Sequence, residues 1–437
     1  MITRERALSP NEAEFEFYNQ KLSGSLQMQL CLRISGPLNF NIVRQAVRLL
    51  QSEHTLLQAR IADSDGQLHY EVDSALEIPV REIARVSRSG EPQWRAMIEE
   101  ELNAPLDTKA GLMRVTYVPA GAGPDEFHEI IIKAHHGIMD AASMMRVYGM
   151  FLSYCGQLAA GQSPNPGTSR PISPPTTELL PLRGLGLRWR LFRFMGYMMW
   201  SMITKKPKPM PITDFAPIAE QHSSFVDVRL PADTLTALVE RARAERSSVT
   251  AALAAAMLLS TRKFMDGDDA LNLAWLSPLS YRNAIRSDFA DPANLAFAFG
   301  TGIFVNRVDP AGKFWDLARA TKNKIEHAVK SRLHFCTPHM ADFRLNFFKK
   351  EKPPAMVLSF SNMGAFDVPE KFGPLTLEEI QFTPALRGFG PLWGVHAYTY
   401  RGELYIHLGF AQPLLKPELA RQWLASVVEL LKASLAT

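Results

Sequence analysis

Two adjacent histidines, His135 and His136, are followed by a carboxylate, Asp140, four positions after the second. An imidazole titrates near neutrality, so a rigid and accessible one can take a proton from a hydroxyl or an amine. The residues before the pair, Ile130, Ile131, Ile132, Lys133 and Ala134, read as a buried strand, and Gly137 reads as a tight corner before a helix over 142–158. A strand end holds a reactive side chain firmly while the loop beyond it leaves the group accessible. If the backbone at the pair is strand-like, the two rings point to opposite sides, so that one faces a cleft and the other is structural. The same pair with Asp140 could contribute to a metal site, but further ligands at suitable spacing are missing, so no metal is expected. A nucleophile elbow of the G-x-S-x-G type is also absent from the sequence.

Alternating strand and helix patterns surround this corner. Ser9 caps a helix that starts at Pro10 with acids in its first turn. Strands are predicted at 27–34, 54–61, 67–72, 112–118 and 127–133, with helices at 41–52 and 94–102. Residues 161–175 are rich in Pro, Gly and Ser and mark a linker. From 224 the grammar restarts: strands at 225–230 and 272–278, helices at 233–244 and 250–264, and a glycine-punctuated turn into a strand at 299–306. A helix at 314–327, a strand-to-turn corner at 356–364, strands at 393–400 and 403–410, and a closing helix at 417–435 complete the chain.

At 437 residues the chain is long for a single core, so two domains are expected, as 1–165 and 223–437 with a linker at 166–222. A hydrophobic content of 46% with 21% charged residues is that of a globular protein, and a net charge of +4 is too mild to imply nucleic acid. Cys31, Cys155 and Cys336 are odd in number and embedded in apolar segments, which fits reduced core thiols in a cytoplasmic protein. The N-terminus lacks an apolar h-region, so no signal peptide is expected, and no uncharged apolar run reaches the ~20 residues of a membrane span. The segment from Arg183 to Ile203 reads as a basic amphipathic helix, with polar Arg183, Arg190, Arg193, Tyr197 and Ser201 recurring every three or four positions. Two readings are open for it: packing on the body with its arginines in water, or peripheral contact with a membrane or a lipid-like substrate.

The run from His135 to Ala141 resembles the HHxxxDG motif of the thioester-dependent acyltransferase superfamily. That superfamily includes chloramphenicol acetyltransferase, BAHD plant acyltransferases, condensation domains, mycobacterial polyketide-associated acyltransferases and wax ester synthases. Leu8-Ser9-Pro10 and the 41–61 unit are similar to the start of these proteins, and Ser280-Tyr281-Arg282-Asn283 stands where they carry an arginine that pairs with the motif aspartate. Ser361-Asn362-Met363-Gly364 is similar to the Ser-Asn-Leu-Gly corner of the alcohol-acylating branches. The resemblance implies an α/β fold of two chloramphenicol-acetyltransferase-like domains, a V-shaped pseudo-dimer with a central substrate tunnel. It implies His136 as general base, with His135, Asp140 and Arg282 structural at the site and Gly137, Ala141, Ser361 and Asn362 lining the tunnel. Ala141 departs from the motif glycine, and its methyl would narrow the passage. The implied co-substrate is acyl-CoA or a phosphopantetheine thioester on an acyl carrier protein, with no bound cofactor. The acceptor is a small-molecule or lipid-like alcohol or amine. Two alternatives stay open: an amide-forming condensation enzyme and a degenerate binding module of the same fold.

Overall fold

The computed structural model describes residues 2–86, 92–121, 126–285, 287–348, 356–388 and 391–436. Contacts divide the chain into two units, each assembled from separate stretches. The first comprises Met1–Pro181, Arg282–Ala298 and Phe366–Thr383; the second comprises Leu182–Tyr281, Phe299–Ala365 and Pro384–Thr437. Consecutive ranges such as 1–165 and 223–437 do not express this exchange of segments.

In the first unit, β1 (Ile2–Ala7) precedes α1 (Pro10–Lys21), which is started by a capping box between Ser9 and Glu12. β2 (Met28–Ser35), α2 (Phe40–Ser52), β3 (Ala59–Ser64), β4 (Gln67–Asp73), β5 (Val80–Glu82), α3 (Gln93–Asn103), β6 (Met113–Val118) and β7 (His128–Ala134) follow. α4 (Ala141–Ala159) and a single turn, α5 (Thr176–Leu179), end the first stretch. The expected strand at 54–61 is a 3-10 turn over Thr55–Gln58 before β3 begins. Here the Gln51 side chain donates to Leu57 O and the Gln58 side chain donates to Gln51 O, local bonds that compete with a ladder.

The second unit opens with α6 (Gly184–Lys205), then β8 (His222–Leu230), α7 (Ala232–Ala244), α8 (Val249–Lys263) and β9 (Leu271–Ser280). After an excursion through 282–298 in the first unit, the chain returns as β10 (Phe299–Val308), α9 (Phe314–Lys330), α10 (Ala341–Phe348) and β11 (Met356–Ala365). β12 (Lys371–Phe372) and β13 (Leu375–Phe382) belong to the first unit; β14 (Pro391–Tyr400), β15 (Glu403–Gln412) and α11 (Pro417–Ala436) close the second. The sheet orders are β1-β4-β3 and β12-β13-β2-β7-β6-β5 in the first unit, and β10-β9-β11-β14-β15-β8 in the second. Alanine-rich α8 is buried on every side from Ala251 to Arg262, and the Trp393 and Trp423 rings stack with centroids 5.0 Å apart in the same core. All three cysteines are buried free thiols.

β7 lies between β2 and β6, and every one of its residues is buried. Its isoleucine run is the pattern of a strand covered on both faces, and it fixes where the histidine corner emerges. α6 is seated unexpectedly. Phe194 and Ser201 are its buried residues, and half-buried Arg190 donates to Ser331 O at 3.3 Å. Large apolar side chains such as Leu185 and Phe192 face solvent, so the helix does not seat its apolar face on the body.

Candidate active site

The corner is built from the end of β7 outward. Ala134 pairs with Met28 on one side and Met113 on the other, and His135 N extends the ladder by donating to Leu112 O at 2.9 Å. One residue earlier, buried Lys133 donates to the carbonyls of Glu101 and Ala104 at the end of α3. A basic group there satisfies carbonyls that the helix leaves open. Burial lowers the Lys133 pKa to about 7; Arg114 pushes the same way and Glu101 opposes.

His135 and His136 occupy different surroundings. The His135 ring is fully buried. Its Nδ1 accepts from Gly137 N at 3.1 Å, so its ring proton sits on Nε2, which lies 3.1 Å from Glu16 Oε2. Burial alone would raise the Glu16 carboxyl, but His135, Thr108 and Gln20 outweigh it and hold the group below its usual range. A Cβ at Gly137 would come within 2.9 Å of the His135 ring, which explains why a residue without a side chain stands there. His135, Glu16 and Gly137 thus form one packed unit under the corner.

His136 keeps partial exposure. Its backbone N–H donates to Gln27 Oε1 at 2.9 Å, and Gln27 Nε2 donates in turn to Phe15 O at 3.2 Å. The ring lies against Phe15 (centroids 4.7 Å apart) and Phe297 (5.8 Å). Its Nδ1 is 2.9 Å from Met139 O. A carbonyl can only accept, so Nδ1 carries the proton and Nε2 is the basic nitrogen of the ring. Burial pushes the His136 pKa down to about 4, while the Met139 carbonyl and Asp140 pull it back up. The ring is therefore neutral at pH 7.

Asp140 does two jobs with two oxygens. As the N-cap of α4 it accepts from Ser143 N at 2.9 Å, and it receives Arg282 Nε at 2.8 Å and Nη2 at 3.0 Å. Arg282 spends its remaining donors on the carbonyls of Phe289, Asp291 and Ala296 and on Ser143 Oγ. Both partners of the ion pair are only 6% exposed. The arginine belongs to the 282–298 excursion, within the same unit as the corner, rather than tying it to the other half of the chain. Ala141 is the first helical residue of α4 and is not among the residues with positive φ, so the backbone there does not require glycine.

His135, His136, Gly137, Asp140, Ala141 and Arg282 therefore meet in the first unit. Ser361 and Asn362 are on β11 of the second. Asn362 donates to Thr250 Oγ1 at 2.8 Å and accepts from Gly364 N at 3.1 Å, at a register shift in the parallel pairing of β11 with β14 that resumes at Ala365 and Thr399. Sequence reasoning missed Phe15, Glu16, Gln27 and Phe297 as supports of the histidines. The Glu12-Ala13-Glu14-Phe15-Glu16 run gave no signal of this, because acids in the first turns of a helix are favourable in themselves.

Residues 17–171 match the family model of the condensation domain, and residues 219–409 match that of the phthiocerol/phthiodiolone dimycocerosyl transferase C-terminus. Each model covers less than half of the chain, and both descriptions accord with the acyltransferase resemblance of the His135–Ala141 motif. A linear gramicidin synthase subunit of Brevibacillus parabrevis is 23% identical over 248 residues, 55% of this chain but only 5% of that protein. The fold is shared along the full length with solved structures. Polyketide synthase associated protein 5 from Mycobacterium tuberculosis is 17% identical with a TM-score of 0.72, covering 100% of this chain and 99% of that one. The trichothecene 15-O-acetyltransferase TRI3 from Fusarium sporotrichioides is 13% identical with a TM-score of 0.75, over 99% and 96%. The condensation domain of the monacolin K polyketide synthase MokA is 15% identical with a TM-score of 0.69, over 100% and 98%.

Proposed function

We propose that this chain transfers an acyl group from a thioester to an alcohol or amine, with His136 as general base. The observation that supports this most is the fixed tautomer: Nδ1 is bonded to Met139 O, which leaves Nε2 as the nitrogen that accepts a proton. In the proposed step, Nε2 removes the proton of the acceptor as its oxygen or nitrogen attacks the thioester carbonyl carbon. The tetrahedral oxyanion collapses, the C–S bond breaks, and the departing thiolate takes the proton back from the imidazolium. The transient cation would be stabilised by the Met139 carbonyl and the nearby Asp140 carboxylate, both of which favour the charged ring. Positioning of two substrates supplies much of the remaining acceleration. The Asp140–Arg282 pair holds the corner and touches no reacting atom in this scheme. We assign Gly137 and Ala141, beside His136 in the first unit, as candidates for lining the substrate path.

The donor is acyl-CoA or an acyl group on a carrier protein. A second reading, amide formation from a carrier-bound acyl group, is favoured by the match of residues 17–171 to the condensation domain. The test is thiol release from a panel of acyl-CoAs and acylated carrier proteins, with pooled alcohols, long-chain alcohols included, and pooled amines. His136→Ala should lower acceptor-dependent release roughly 10²–10⁴-fold. Undiminished release in that variant would sink the mechanism, and the productive donor and acceptor separate ester from amide formation. Because the ring is neutral above about pH 4, the acid limb of kcat/KM assigned to His136 should fall well below 6.5.

A further inference from the structure

Eight of the thirteen large hydrophobic side chains exposed among the described residues lie on α6. That concentration sets the helix apart from an ordinary surface, where exposed apolar residues are scattered. Leu185, Trp189, Phe192, Met199 and Ile203 follow one another at steps of three, four or seven, with Gly196 filling the register, so they form a single stripe. Leu185 is 81% exposed and Phe192 76%. From Leu185 to Ile203 the stripe runs about 27 Å along the helix. The opposite side is anchored: Phe194 and Ser201 are buried, Arg190 bonds Ser331 O, and Asn272 Nδ2 donates to Lys205 O at 2.6 Å. The stripe is therefore held outward by the body.

Charge identifies what covers it. Between Glu178 and Asp214 the sequence has no acid and seven bases, among them exposed Arg188, Arg193, Lys206 and Lys208 beside or just beyond the stripe. Arg193 lies 4.5 Å over the Trp189 ring. Two copies of such a face would repel each other, whereas an apolar stripe with aromatic rings and flanking cations fits hydrocarbon beneath anionic headgroups. No helix among the described residues is long and apolar enough to cross a membrane, so the helix would lie in the interface plane.

We propose that α6 docks the protein onto an anionic lipid surface through the Leu185–Ile203 stripe. This inference stands independently of the acyl-transfer reading. The full chain is sedimented with phosphatidylcholine vesicles and with vesicles containing phosphatidylglycerol, and compared with a Trp189→Ser, Phe192→Ser, Trp200→Ser variant. All three side chains are exposed, and unchanged circular dichroism and melting verify folding. The wild type should bind the anionic vesicles, more weakly at high salt, and the variant at least about tenfold less tightly. Equal binding by variant and wild type, or no binding to either vesicle, overturns the proposal. So does a wild-type dimer that becomes monomeric in the variant without vesicle binding, because a second copy would then be the occupant.

Discussion

The His135–Asp140 corner and helix α6 break the usual partition of polar and apolar groups in opposite directions. The corner buries an ion pair, an imidazole and a glutamate; α6 leaves tryptophan, phenylalanine and leucine in water. The corner resolves its anomaly internally. Arg282 places its donors on Asp140, Ser143 and three carbonyls, and His135 finds Glu16 and Gly137 within the same unit. α6 carries no such internal answer for its outer stripe. A buried polar cluster whose members satisfy one another explains itself as structure, while an apolar surface held outward points to something outside the chain.

The sharpest way to break this contrast is to remove one side of the buried pair. Asp140→Ala leaves the guanidinium uncompensated and uncaps α4, and Arg282→Ala strands the carboxylate and three carbonyls. Each should cost about 3–5 kcal/mol in denaturant unfolding, with loss of activity. Replacing both with apolar residues should recover only part of that loss, since the carbonyls of Phe289, Asp291 and Ala296 still lose their donor. Full tolerance of Arg282→Ala would mean that the pair is not what holds the corner.

Acid should separate the two regions next. His54, in the first unit, is 1% exposed, and neither ring nitrogen has a hydrogen-bond partner. Burial and then Arg170 lower its pKa to about 4, with Glu53 opposing. The folded value lies below the unfolded one, near 6.5, so the contribution to stability is complete above pH 6.5. It declines as pH falls toward 4, where the unfolded chain binds the proton and the folded one does not. The full decline is roughly 3 kcal/mol. Unfolding curves at several pH values should show a flatter slope over that window for His54→Gln than for the wild type. α6 contains no histidine or acid and should add nothing to this dependence.

What the sequence disclosed follows from the range of each interaction. The isoleucine run, the corner and the start of α4 are local patterns, and the strand and helix periods place them directly. The Arg282 partner was legible only through resemblance, because 142 positions separate it from Asp140. Its membership of the first unit was not legible, since nothing local in 282–298 reveals that the chain leaves one unit between β9 and β10. Gln27 holds His136 across 109 positions, and Phe297 arrives from the same excursion. The seating of α6 escaped for another reason. Apolar residues occupy most of its circumference, so periodicity gives a helix but does not decide which side the body takes.

The smallest effect tests the other side of the comparison. A large apolar residue in a packed core loses several kcal/mol when truncated, through lost transfer energy and the cavity left behind. Neither term applies to a side chain already in water. Phe192→Ser and Ile203→Ser, 76% and 63% exposed, should therefore shift unfolding free energy by no more than about 0.5 kcal/mol, apart from the weak helix preference of serine. Solubility should rise as the stripe is interrupted. A loss near that of Arg282→Ala would mean that these residues are covered by protein in solution. The stripe would then be part of the core, and its outward seating would no longer call for a lipid partner.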